Sequence, residues 1–97
     1  MNESAKEMFE KLGYIYQESY FEDELEEIKY VKNKKFASCV IFNLNHKCFK
    51  TFRFDDENKS CWCDKSMMQA INQQCKELGW FNEYIDGYGL FNKQDNN

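Results

Sequence analysis

The sequence predicts an α+β domain in which a three- or four-stranded antiparallel sheet carries both of its helices on one face, in the order α-β-β-β-(β)-α. Three observations predict it. Capped amphipathic segments stand near residues 4–13 and 66–80. Between them lie short apolar or alternating runs broken by turn-forming residues, with connections too short for parallel crossovers. The chain has 97 residues, enough for one modest core and no second one. Residues 1–97 are therefore read as a single domain, with the core at about 4–81 and an aromatic, then polar, tail over 82–97.

Ser4-Ala5-Lys6-Glu7 has the form of a capping box. Ala5, Met8, Phe9 and Leu12 follow at helical spacing, and Gly13 ends the run. Glu18 to Glu27 holds six acids in ten residues and reads as the connection to the first strand, Ile28 to Val31. Asn33-Lys34-Lys35 reads as a hairpin loop. Phe36 to Phe42 is the most apolar run and the expected central strand. Cys48 to Phe54 alternates, with Cys48, Lys50, Phe52 and Phe54 on one face and Phe49, Thr51 and Arg53 on the other. Ser60 to Cys63 reads as a fourth strand or an extended lead into the second helix.

That second helix is the clearest element. Ser66 and Gln69 are spaced as a capping box, Met68, Ile71, Cys75 and Leu78 form an apolar stripe, and Gly79 supplies the stop. Lys76 and Glu77 are expected to point into water. Met8, Phe9, Leu12, Ile71 and Leu78 should pack against Val40, Phe42, Phe52 or Phe54. Beyond Trp80, Phe81, Tyr84, Ile85 and Tyr88 have helical spacing that Gly87 and Gly89 cut short.

The net charge of −4 conceals a segregation: net −7 over residues 1–27, +5 over 28–65 and −2 over 66–97. No apolar run approaches the ~20 residues that span a bilayer, so no membrane association is expected. Five cysteines behind a polar, acidic N-terminus point to free thiols in a reducing, cytoplasmic setting.

No catalytic constellation can be assembled. There is one histidine, and the close carboxylates, in the acidic run and at Asp55-Asp56-Glu57, have the composition of solvated turns. The chain is read as a non-enzyme without a cofactor. His46-x-Cys48 and Cys61-x-Cys63 would form a zinc site, and the chain a zinc-stabilised structural domain, only if their strand ends met. Small buried thiols at Cys39, Cys48 and Cys75 are the commoner outcome. Lys47, Phe49, Lys50 and Arg53 alternate bases with aromatics, the pattern of a small nucleic-acid-binding sheet, but an ordinary half-solvated strand gives the same pattern. Glu18, Glu22, Asp23, Glu24, Glu26 and Glu27 surround Tyr20 and Phe21. Such a run is usually a solvated connection. Here it is also read as one acidic, partner-binding face with the two rings as anchors.

The first helix ending Leu12-Gly13-Tyr14, the strands with Val40-Ile41-Phe42 and Phe49 to Phe54, and the helix from Ala70 to Trp80 resemble small proteins carried by phages and prophages of low-GC Gram-positive bacteria. The resemblance covers about residues 5–81. The cysteine number, the dense acidic run and the aromatic tail depart from that pattern. Similar small acidic phage proteins include inhibitors of host defence, anti-CRISPR proteins among them. What the resemblance implies is a host protein as partner, in particular a nucleic-acid-handling defence complex, and inhibition by binding.

Overall fold

The structure, a computed structural model, describes residues 3–34 and 37–81. Its elements are α1 (Ala5–Lys11), β1 (Ile15–Phe21), β2 (Glu24–Lys32), β3 (Ser38–Asn43), β4 (Cys48–Arg53) and α2 (Lys65–Glu77). The expected strand start at Phe36 and the pattern built on Tyr84, Ile85 and Tyr88 fall outside the described residues. The four strands form an antiparallel meander in the order β1-β2-β3-β4, and the fold is α+β as the sequence predicts.

The α1 capping box forms as read. Ser4 Oγ accepts from Glu7 N at 3.1 Å, and Ser4 N donates to Glu7 Oε1 at 2.9 Å. The helix closes in a Schellman arrangement: Tyr14 N donates to Phe9 O, Gly13 N donates to Glu10 O, and Gly13 takes φ of +95°. Gly79 likewise takes a positive φ after α2, +77°, with its N–H on Lys76 O. A residue with a Cβ would be strained at either glycine.

The α2 start differs from the sequence reading. Asp64, not Ser66, is the cap, its carboxylate accepting from Met67 N at 2.9 Å. The buried stripe is Met67, Ala70, Ile71, Gln74 and Cys75, and Met68 is 54% exposed. Leu78, Met8 and Leu12 are half-buried at the core margin. The stripe is rotated because Gln74 faces inward, where its Oε1 accepts from the Tyr30 hydroxyl at 2.5 Å. Glu77 does more than face water: its Oε2 accepts Ala5 N at 2.8 Å, placing a carboxylate at the positive end of α1 and tying the two helices together.

Register decides which sheet face is the core. Across the sheet, Tyr16, Tyr30 and Val40 align, as do Ile28, Phe42 and Phe49. The helices cover this face. Phe9 stacks on Tyr30 with ring centroids 3.9 Å apart, and Phe42 meets Phe9, Phe49 and Trp80. Burying a side chain such as Phe9 contributes ~1.5–3 kcal/mol relative to exposure. Phe52 is not part of this contact. It is buried on the opposite face, opposite Cys39, and Phe54 lies beyond β4 at 46% exposure. On that opposite face Ile15, Val31, Cys39 and Phe52 form one row across all four strands.

The acidic run is the largest departure from the sequence reading. It is not a connection but a β-hairpin, so Ile28–Val31 lies inside the second strand and a further strand, Ile15–Phe21, precedes it. Ser60–Cys63 is correspondingly not a strand but the lead into α2.

Candidate partner-binding hairpin

β1 and β2 are joined by the two residues Glu22 and Asp23, both in the left-handed region with φ of 48° and 70°. Two positive φ values are what a type I′ hairpin turn requires, because its twist matches that of the flanking strands. Aspartate tolerates this conformation better than glutamate, and neither does so as freely as glycine. A register shift between Ser19 and Tyr20 marks a bulge just before the turn.

Three side chains along β1 form one hydrogen-bonded row. Glu18 accepts from the Tyr16 hydroxyl at 2.5 Å and from the Tyr20 hydroxyl at 2.7 Å. These bonds, Tyr16's first, hold the Glu18 carboxyl below the usual range, so it stays ionised. Burial, then the hydrogen bond to Glu18, pushes the Tyr16 phenol up to about 12. The bond to Glu18 likewise raises Tyr20. Lys6 Nζ lies 4.9 Å from the Tyr16 ring centroid and covers the row from α1.

At the tip, Tyr20 and Phe21 are 57% and 62% exposed, beside the exposed Glu22, Asp23 and Glu24. The acids do not share one face. Glu18 is on the helix-covered side with Tyr16. Glu27 is on the other, level with Ser19 and Asn43, and both Glu26 and Glu27 are half-buried. Strand alternation splits them, and only the turn and its flanks concentrate charge.

The alternative nucleic-acid set is likewise divided. Lys50 lies on the face away from the helices, 5.2 Å from the Phe52 ring centroid. Phe49 is on the helix side against Phe42, and Lys47 sits in the β3–β4 turn with φ of 53°. Arg53 is engaged by Asp55 through Nε at 3.1 Å and Nη2 at 2.9 Å.

His46, Cys48, Cys61 and Cys63 do not converge. Cys48 pairs with Asn43 at one end of β3, whereas Cys61 Sγ lies 3.9 Å from Ala37 O at the other. Five strand steps of ~3.4 Å separate those ends. Among the described residues no three His, Cys, Asp or Glu side chains group as a metal site. All five cysteines are free; Cys48 is exposed rather than a core residue, while Cys39 and Cys75 are buried and burial raises their thiols.

Trp62 escaped the sequence reading. It is 98% exposed on the β4–α2 connection, at the rim of a cleft of about 740 Å³ that Lys32, Ser38, Arg53 and Met67 help to line. Beneath it the Tyr14 hydroxyl meets Ser38 Oγ and lies 3.5 Å from Met67 Sδ. A lone aromatic in an irregular loop has no periodicity by which sequence could flag it.

No family model matches the chain, and neither does any curated protein or solved structure. Among the described residues no helix is long and apolar enough to cross a membrane.

Proposed function

We propose that this chain is a non-enzymatic binding protein that docks the β1–β2 hairpin into a basic cleft of a partner protein. One observation carries this reading: two large aromatic rings stand exposed at a hairpin tip whose turn and flank are carboxylates. Aromatic residues concentrate binding energy, and surrounding like charges select a basic surface and speed encounter. A basic cleft that ordinarily takes a phosphate backbone has the complementary charge. The reading therefore agrees with what the sequence resemblance implies, a phage-borne inhibitor of a host nucleic-acid-handling complex acting in the cytoplasm.

The test is a pull-down from host lysate with and without nuclease. A protein partner retained after nuclease, lost with Glu22→Lys/Glu24→Lys and kept with Lys50→Glu, supports the reading. Charge reversal should act on the association rate, and Phe21→Ala on the dissociation rate. Loss of every partner on nuclease treatment would instead favour direct nucleic-acid binding.

A further inference from the structure

The meander leaves two outer edges, and they are finished differently. β4 carries Lys50 and Arg53, and the chain beyond it folds back on its last residue: Arg53 N donates to Lys59 O at 2.8 Å, and Asp56 N donates to Arg53 O at 3.2 Å in an isolated antiparallel β-bridge. Charged side chains, lysine especially, and a covering loop are common ways to block strand addition at an edge. β1 has neither. Over its seven residues, IYQESYF, it has no lysine and no proline, and among the described residues only β2 pairs with it. One set of its backbone N–H and C=O groups therefore faces outward, and Ile15, Tyr20 and Phe21 beside it are more than half exposed.

We infer that the outer edge of β1 is a strand-addition site for an extended segment bearing alternate lysine or arginine side chains. The inference rests on the binding role proposed for the hairpin and specifies what part of the partner it takes. Charge selects the occupant. Residues 15–32 hold six acids against two lysines. A second copy adding at the same edge would set two such hairpins side by side, and full overlap would place Glu18 directly opposite its own counterpart. Like charges directly opposite destabilise strand pairing, and opposite charges stabilise it. A cationic side chain facing Glu18 would meet a carboxylate already fixed by the Tyr16 and Tyr20 hydroxyls.

The probe is a seven-residue peptide alternating lysine and threonine, titrated against the full chain. Two analogues of equal charge accompany it, one N-methylated on its inner lysines and one on its threonines. Only alternate N–H groups of an added strand face the sheet. The expected result is binding of the parent, retention by one analogue and at least tenfold weakening of the other, with slowed exchange of alternate β1 amide hydrogens. Equal behaviour of the two analogues, both binding or both failing, overturns strand addition. So does a parent peptide that does not bind, or β1 protection that grows with protein concentration alone and reports self-pairing. Those results leave the proposed binding role intact as long as Glu22→Lys/Glu24→Lys still removes the captured partner; that role fails separately if the reversal changes nothing.

Discussion

The Tyr30–Gln74 contact offers a quantitative test of how the sheet holds α2. Tyr30 is 1% exposed and Gln74 is 4% exposed, and the 2.5 Å bond between them joins β2 to α2 inside the core. Tyr30→Phe removes the hydroxyl but keeps the ring and its stack on Phe9. It leaves Gln74 Oε1 buried without its donor, which costs ~1–3 kcal/mol. Gln74→Met, close in volume, strands the tyrosine hydroxyl instead and should cost a similar ~1–3 kcal/mol. The double variant has no orphaned partner of that bond and should be more stable than the sum of the single changes implies. A coupling of at least ~1 kcal/mol is expected, within the 0.5–3 kcal/mol range of contacting pairs. Urea denaturation of the four proteins measures it, with slopes compared to confirm that the unfolded states match. Additivity within ~0.3 kcal/mol would refute the view that this bond turns Gln74 inward.

Phe9→Ala should cost ~3–5 kcal/mol, the range for a buried phenylalanine, and Leu78→Ala distinctly less because Leu78 is half-buried; chemical denaturation ranks them, and equal losses would contradict the packing. The hairpin row should respond to pH at both ends. The fold raises Tyr16 to about 12, so its contribution is complete below an unfolded phenol's ~10 and disappears as pH climbs from ~10 towards about 12. Glu18 is lowered, so its contribution is present above the ordinary ~4.3 and is lost as pH falls through its folded value. Tyr16→Phe should flatten both limbs of a stability–pH curve, and an unchanged curve would show that the row is not formed. A water-soluble thiol reagent should modify Cys48 first and reach Cys39 and Cys75 only on unfolding, as mass spectrometry of the labelled peptides would show.

Features that depend on a few neighbouring residues were legible in the chain without its fold. Ser4 with Glu7, and Gly13 and Gly79 behind their leucines, set helix ends through local hydrogen bonds and a backbone angle, so they can be read without a partner. The antiparallel order followed from short connections. The sequence did not reveal β1, because a Glu22-Asp23 turn lacks the asparagine or glycine that normally marks a two-residue hairpin, and the surrounding charge looked like a solvated run. Nor did it reveal which face of β4 is the core. Alternation separates Phe49 from Phe52 but is symmetric between the two faces. Tertiary register broke that symmetry by setting Phe49 against Phe42 and Phe52 against Cys39. The inward turn of Gln74 is of the same kind: a polar residue joins an apolar stripe only where a distant donor, here the Tyr30 hydroxyl 44 residues away in sequence, satisfies it.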